Sequence, residues 1–165
     1  MGVGKTTVGL ELAKKLNRDF VDADQAIEER YRMPVREIFS QFGEAKFREM
    51  ERDFITGLCV NTSKKIVSLG GGAFMQEEIR EACLATSNVF FLDISWELWK
   101  NRYHLLMENR PLLQSKSLEE VEELFNLRKS TYSINHAAVL TDELNPEQVA
   151  DRILETLEQW QAKDR

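Results

Sequence analysis

Short apolar segments alternate with amphipathic helical segments along the whole of this chain. Apolar residues recur at helical spacing between the strands, as with Val8, Leu12 and Leu16 near the start. Strands that are separated by helices become parallel neighbours in one sheet, with helices packed on its two faces. The pattern therefore predicts an α/β fold. The strand-like segments are DFVDAD at 19–24, KIVSL at 65–69, NVFFLDI at 88–94 and AAVLTD at 137–142.

The chain opens with MGVGKTTVG, which has the form of the end of a phosphate-binding loop. Gly2 and Gly4 would let backbone N–H groups surround phosphate oxygens, and Lys5 would reach the β- and γ-phosphates. The hydroxyl of Thr6 is suited to hold Mg²⁺. Such a loop follows a buried strand, so one further strand is expected ahead of Met1. The alternative is a glycine-rich terminus that precedes an ordinary helix.

The composition limits the class of protein. The chain has 165 residues, enough for one domain, and 42% of them are hydrophobic and 30% charged, as in globular proteins. No apolar run approaches the ~18 residues of a membrane span. The net charge of -6 argues against general affinity for nucleic acid. Cys59 and Cys83 lack metal-ligand spacing, so we expect packing residues in a reducing, cytoplasmic compartment.

Two acids close the segment FVDAD, at the end of a predicted strand. Alternate residues of a strand share a face, so the carboxylates of Asp22 and Asp24 would point the same way. One would help to hold a metal ion, and the other would accept a proton from a hydroxyl group. The alternative is a solvated helix start, because acids are favourable in the first helical turn.

The segment GEAKFREMER places Glu44, Arg48 and Glu51 on adjacent helical turns. One interpretation is an exposed ladder of charges at spacings of three and four residues. The other is that the two acids direct Arg48 into a cleft, where its planar guanidinium would bind a substrate carboxylate. The residues alone leave both interpretations open.

A run of three glycines in SLGGGA, residues 70–72, follows the predicted strand KIVSL. Such a run costs backbone entropy, which is expected where something comes close to the backbone, and a plain tight turn is the alternative. Two arginines lie farther on, Arg110 in ENRPLL and Arg128 in FNLRKSTY. An arginine in a loop between helices would close over a γ-phosphate, whereas either one alone is more often a surface residue.

The order of these segments resembles that of the shikimate kinase family. GVGKTT, FVDAD, GEAKFR with a glutamate three residues later, SLGGGA, ENRPLL and LRKSTY follow one another as in that family, before a last strand and helix. The resemblance covers the chain from Gly2 to Trp160. Many nucleotide-binding proteins share the phosphate loop, whereas the DxD, GExxFRxxE and GGG motifs at these separations are specific.

The resemblance implies a P-loop kinase fold of three α/β/α layers with a mostly or wholly parallel five-stranded sheet. In the family the first, central strand leads into the phosphate loop, and this chain lacks it. The chain is therefore expected to begin inside its nucleotide site and to fold poorly as written. Residues 1–165 would form a single kinase domain, with a substrate-binding region at about 23–60 and a lid at about 104–117.

The resemblance also implies a substrate site. Asp24 would bind shikimate and act as the base, with Lys5 and Arg110 contributing to catalysis. Arg48 and Arg128 would hold the substrate carboxylate. The residues expected in the substrate site are Asp24, Phe39, Arg48, Glu51, Gly70, Gly71, Gly72 and Arg128, with Glu51 orienting Arg48 and the backbone of Gly71 holding a ring hydroxyl.

A nucleotide site is implied in the same way. Thr6 and Asp22 would hold Mg²⁺, and Arg102 and Pro146 would flank adenine. Leu144 stands where some relatives have an arginine, so that contact is not expected. The residues expected in the nucleotide site are Gly2, Val3, Gly4, Lys5, Thr6, Thr7, Arg102, Arg110 and Pro146.

The implied reaction is transfer of the γ-phosphoryl group of ATP to the 3-hydroxyl of shikimate, in aromatic amino-acid biosynthesis. Shikimate, ATP and Mg²⁺ are the expected partners of a monomer that binds neither membranes nor nucleic acid. Two alternatives stay open. A related P-loop kinase of another hydroxy acid, such as gluconate, would also suit two arginines and a DxD motif. The start of the chain inside the loop favours an inactive nucleotide-binding module.

Overall fold

A computed structural model describes residues 3–107 and 117–163 of the protein, with the backbone alone at 102–107. The described strands are β1 (Phe20–Asp22), β2 (Ile66–Ser68), β3 (Phe90–Asp93) and β4 (Ala137–Leu140). The described helices are α1 (Lys5–Leu16), α2 (Ala23–Tyr31), α3 (Val35–Asn61), α4 (Glu77–Thr86), α5 (Trp96–Met107), α6 (Leu118–Tyr132) and α7 (Pro146–Lys163), with a 3-10 helix at Ala73–Met75. Each strand lies within a predicted one, and α1 has the bounds, about Lys5 to Leu16, that the spacing of Val8, Leu12 and Leu16 predicts.

The strands form two parallel pairs. β1 pairs with β2 in the register Phe20 to Ile66, and β3 pairs with β4 in the register Phe90 to Ala137. Among the residues that the structure describes, no strand joins the two pairs. A cavity of about 420 Å³ lies between them and is lined by residues of both β2 and β3. This gap has the position expected for the central strand that the family resemblance implies.

Apolar clusters on the two faces of the strands make the three layers. On one face, Leu12 of α1 and Ile153 of α7 belong to a buried cluster against which Ile66 of β2 and Phe90 of β3 pack. This cluster therefore joins the two strand pairs across the gap. The buried residues of the other face come mainly from α3, the 3-10 helix and α4, and they include Ile55, Ala73, Phe74, Ile79 and Cys83.

The sequence predicts helix caps at Ser117, with Glu120 three residues later, and at Asn145, with Gln148 three residues later, and the structure confirms both. Ser117 and Glu120 form a reciprocal capping box at the start of α6. Asn145 and Gln148 bond reciprocally at 2.9 Å in both directions at the start of α7. Within residues 3–107 and 117–163, none of the helices has the length and apolar character that crossing a membrane requires.

The strand β3 is less buried than the sequence predicts. The apolar run NVFFLDI indicates a strand covered on both faces, but every residue from Phe90 to Asp93 is only half-buried. The reason is the position of β3 beside the gap, since Phe90, Phe91 and Leu92 all line the cavity.

The long helix α3 begins earlier than predicted. The sequence indicates a helix from Gly43 to about Val60, whereas α3 runs through Val35–Asn61 and is broken at Gly43, which has a φ of 81°. Glycine adopts this left-handed conformation without the strain that a side chain would add. The break separates a short first segment from the longer segment that carries Arg48 and Glu51.

The gap between the strand pairs generates a prediction about stability. We expect a chain extended ahead of Met1 by about ten residues that form an apolar strand to unfold at a higher temperature than residues 1–165 alone. The facing edges of β2 and β3 would gain backbone hydrogen bonds from the new strand, each contributing about 1 kcal/mol. Thermal unfolding with and without Mg-ATP measures the difference.

The matched control is an extension of equal length in which serine and glycine replace the apolar residues. Equal stabilisation by both extensions would contradict the prediction. Cooperative unfolding of residues 1–165 alone, with the full stabilisation by Mg-ATP, would also show that the gap needs no strand.

Candidate active site

The amino end of α1 lies against the end of β1. Gly4 precedes α1 with a φ of 85°, and Oγ1 of Thr6 in the first turn donates to Oδ2 of Asp22 at 2.8 Å. A helix amino end presents N–H groups and the positive end of the helix dipole, which favour an anion. Lys5 follows Gly4 and lines the same cavity as Gly70. The structure thus brings together the loop residues and the acid that the sequence assigns to phosphate and Mg²⁺.

The prediction that Asp22 and Asp24 share one face of a strand is wrong. β1 ends at Asp22, whose Oδ1 accepts from the backbone N–H of Gln25 at 3.3 Å and caps α2, so Asp24 lies in the first turn of that helix. The helix start that was the alternative is the correct local structure. Asp24 still faces the glycine run, because a Cβ at Gly70 would lie 3.0 Å from its Cγ. The two carboxylates therefore reach the site from different elements.

A buried carboxylate holds Arg48 in place. The side chain of Glu51 is 1% exposed, and it accepts from Nη1 of Arg48 at 2.7 Å and from Nε2 of Gln76 at 2.8 Å. The side chain of Arg48 is 23% exposed, and its Nη2 also donates to the more exposed Glu44 at 3.2 Å. The ladder of charges predicted from the spacing exists, but it is anchored in the interior and directs Arg48 towards the glycine run.

Burial raises the pKa of Glu51 above its ordinary value, because the charged form loses its contact with water. Hydrogen bonds from Arg48 and Gln76 oppose this rise, and the negative charge of Asp24 adds to it. Burial also disfavours the charge of Arg48, but Glu51 and Glu44 outweigh it and raise the pKa of Arg48. Arg48 therefore keeps a full positive charge in a half-buried position.

The glycine run at 70–72 contacts both charged groups. A Cβ at Gly72 would lie 2.6–2.8 Å from the guanidinium of Arg48, and a Cβ at Gly70 would meet the carboxylate of Asp24. Any side chain at these two positions would displace a charged group. The run is therefore more than a plain tight turn, and the groups that approach its backbone include side chains of the protein itself.

The helix α6 packs against the same glycine run. The hydroxyl of Tyr132 donates to the backbone carbonyl of Gly71. Lys129 forms an ion pair with Asp93 at 2.9 Å, at the end of β3. Arg128 lies on the same face of α6 as Tyr132, since residues four apart stack on a helix. The structure therefore places Arg128 on a helix that is fixed to the loop which Asp24 and Arg48 approach.

Phe39 lies on the first segment of α3 and is linked to Arg48 through the ring of Phe47. Its ring packs on that of Phe47 with 4.8 Å between centroids. The guanidinium carbon of Arg48 lies 5.3 Å from the centroid of Phe47. Phe39 and Arg48 thus both contact Phe47, and Phe39 contributes an apolar surface near Arg48.

The other residues expected in the nucleotide site lie on several elements. Val3 is buried just before the helix, whereas Thr7 is exposed in its first turn. Pro146 begins α7, and its neighbour Glu147 pairs with Lys15 at 3.4 Å, beside the carboxyl-terminal half of α1. Gly2, Arg110 and most of the predicted lid lie outside the described residues, as does the side chain of Arg102.

Sequence reasoning missed two contacts of the site. Gln76 donates to Glu51 and Tyr132 donates to Gly71, and these partners are 25 and 61 positions apart in the sequence. No local pattern pairs residues at such separations. The one available signal was the spacing of four between Arg128 and Tyr132, which places both on one helix face.

These features define a class of protein. A helix amino end that follows glycine, with Lys5 and Thr6 in its first turn, can bind nucleotide phosphates. An aspartate can accept a hydroxyl proton, and an arginine fork can bind a carboxylate. The fold is that of a P-loop kinase, and its site holds groups suited to a small carboxylated alcohol.

Comparison with known proteins identifies the family. The family model described as Shikimate kinase matches residues 1–158. The chain is 55% identical to the shikimate kinase of Bacillus pumilus, over 95% of this chain and 85% of that protein. A solved structure of shikimate kinase from Acinetobacter baumannii in complex with shikimate matches with a TM-score of 0.86 and 32% identity, over 96% of this chain and 89% of that one. The chain belongs to the shikimate kinase family, as its motifs predict.

The close approach of Gly72 to Arg48 generates a prediction. We expect Gly72→Ala to lower kcat/KM for shikimate by about tenfold or more, the effect of about 1.4 kcal/mol. The added Cβ would displace a guanidinium that two carboxylates hold. Steady-state kinetics with shikimate and Mg-ATP measures the change.

Gly57→Ala is the matched control, because Gly57 lies on the same helix as Arg48 and a Cβ there has no atom within 4 Å. This variant should keep its activity and gain helix stability. Unchanged kinetics in Gly72→Ala would mean that the position of Arg48 does not matter to the reaction.

Proposed function

We propose that this chain transfers the γ-phosphoryl group of ATP to the 3-hydroxyl group of shikimate, giving shikimate 3-phosphate in aromatic amino-acid biosynthesis. The observation that carries the proposal is the approach of Asp24 and Arg48 to one glycine run, beside a helix end with Lys5 and Thr6. Membership of the family supports the choice of shikimate, and one similar solved structure is a complex with shikimate.

The phosphates of ATP would bind at the amino end of α1. Backbone N–H groups of Gly2, Val3, Gly4 and Thr7 would surround them, and Lys5 would stabilise the negative charge of the group in transfer. Phosphoryl transfer depends mainly on positioning and on charges fixed in advance, so the anchored end of α1 is the main contribution of this region.

The residues near this helix end fit Mg²⁺. The hydroxyl of Thr6 and the carboxylate of Asp22 present two oxygen atoms 2.8 Å apart at the helix start. Mg²⁺ prefers oxygen ligands and commonly takes one or two from the protein, together with phosphate oxygens and water. We propose that these two residues hold the ion directly or through water, where it would neutralise phosphate charge.

The acceptor, shikimate, would bind beside the glycine run, where Asp24 and Arg48 approach it. Asp24 would accept the proton of the 3-hydroxyl group as that oxygen attacks phosphorus. Arg48 and Arg128 would hold the carboxylate, and the backbone of Gly71 would bind a ring hydroxyl. Glu51 would fix the direction of Arg48. The other contacts we propose are those of Phe39, Gly70 and Gly72 with shikimate and of Arg102, Arg110 and Pro146 with the nucleotide.

We also propose that the enzyme is a cytoplasmic monomer. Cys59 and Cys83 are free thiols with 3.9 Å between their sulfur atoms. A reducing compartment keeps such a pair in the thiol form, which supports this placement.

A coupled assay of ADP release tests the choice of substrate. We expect release with Mg-ATP and shikimate that exceeds the rate without acceptor, and no such increase with gluconate. Two arginines suit any carboxylate, so gluconate is the strict control for the ring and its hydroxyl groups. A larger increase with gluconate than with shikimate would show that the substrate is another hydroxy acid. No increase with either acid would show that the chain is an inactive nucleotide-binding module.

The assigned role of Asp24 generates a further prediction. Asp24→Asn keeps the size of the side chain but cannot accept the proton, so turnover should fall by about 10²–10⁴-fold. Binding of ATP should stay near that of the unchanged enzyme, because the phosphates would be held mainly by the backbone N–H groups at the amino end of α1. Steady-state turnover and equilibrium nucleotide binding measure the two effects.

Asp53→Asn is the control for loss of one negative charge, because Asp53 is an exposed residue of α3. Its turnover should be unchanged. Near-normal turnover of Asp24→Asn would remove Asp24 from the mechanism.

A further inference from the structure

We propose that Tyr132 is a positioning residue of the substrate site, whose hydroxyl fixes the peptide plane between Gly71 and Gly72 and joins it to the helix of Arg128. This inference rests on the substrate roles proposed above for Arg128 and Gly72. Tyr132 itself would not contact the reacting atoms. It would keep two substrate-binding groups at a fixed separation.

The hydrogen bond of Tyr132 sets the direction of a backbone donor. Its hydroxyl donates to the carbonyl of Gly71, which belongs to the same planar trans peptide group as the N–H of Gly72. A carbonyl that is held on the side of α6 therefore directs this N–H to the opposite side of the peptide. Glycine has few conformational limits, so the bond from Tyr132 adds to the backbone bonds that Gly70 and Gly72 accept from Ala73 and Met75 in keeping the run in one orientation.

The same residue also fixes the helix that carries Arg128. Arg128 precedes Tyr132 by one helical turn and shares its face of α6. Both residues line one small cavity together with Val3, just before α1. The bond from Tyr132 to Gly71 thus lies between the arginine that would bind the carboxylate and the loop that would bind a ring hydroxyl.

Ring contacts hold Tyr132 independently of its hydroxyl. The ring lies 5.5 Å from that of Phe91 and 6.3 Å from that of Phe74, measured between centroids. A phenylalanine at this position would keep both contacts. Tyr132→Phe is therefore a substitution that removes the oxygen atom and leaves the packing of α6 in place.

Steady-state kinetics of Tyr132→Phe with shikimate and Mg-ATP tests the inference. We expect KM for shikimate to rise by about five- to tenfold, the effect of losing one hydrogen bond. KM for Mg-ATP should change by less than about twofold, because the nucleotide would bind at α1. Equilibrium binding of shikimate, measured by calorimetry, should weaken in parallel.

Ser130→Ala is the matched control on the same helix. The hydroxyl of Ser130 also donates to a carbonyl, that of Leu127, but it is exposed and does not reach the glycine run. Both KM values should stay unchanged in this variant. Lys129→Met removes the ion pair with Asp93 that also fixes α6, and it should not reproduce the selective rise in KM for shikimate.

A double variant adds a second test. Combined with Arg128→Lys, Tyr132→Phe should have less effect on shikimate binding than it has alone, because both changes act on one arrangement. Three outcomes would each overturn the inference: an unchanged KM for shikimate, an equal rise in both KM values, or the same selective rise in Lys129→Met. Failure of the proposed function would instead appear in the unchanged enzyme, as an absence of shikimate-dependent ADP release.

Discussion

The buried carboxylate of Glu51 is the constraint on which the substrate side of this protein depends. An isolated charge in the interior is unfavourable, and removing one partner of a buried ion pair costs about 3–5 kcal/mol. The charge of Glu51 is compensated by the guanidinium of Arg48 on the same helix and by the amide of Gln76 at the start of α4. The position of Arg48 is therefore set by the need to satisfy Glu51. Because the guanidinium then lies against Gly72, the loop must be free of side chains there.

The site is assembled from the ends of elements rather than from their middles. Asp22 ends β1, the glycine run follows β2, and Thr6 lies in the first turn of α1. In α/β folds the carboxyl ends of parallel strands meet at one edge, where ligands bind. Strands of three or four residues are long enough to bring these groups together. Most of the chain then serves to hold those ends in register.

Sequence reasoning predicts this protein well where the signal is local. The bounds of α1, the capping box of Ser117 and the pair of Asn145 with Gln148 depend on residues within one or two turns. The motif order also gives the family. What it does not give are contacts between distant segments, such as those of Tyr132 and Gln76. The burial of Glu51 could not be predicted from the sequence either, because the spacing of Glu44, Arg48 and Glu51 fits an exposed helix equally well.

The separation of the strands into two parallel pairs has a consequence for cooperativity. Each pair closes its own crossover, β1 with β2 through α2 and α3, and β3 with β4 through α5 and α6. The entropy of closing a loop grows only slowly with its length, so each half of the chain can form its pair without the other. The two halves meet where α1, from the first half, packs with α7, from the second, and where Tyr132 of α6 bonds to Gly71 and packs on Phe74. Whether the molecule unfolds as one unit therefore depends on both contacts: the packing of α1 with α7, the first and last described elements, and the docking of α6 on the glycine run.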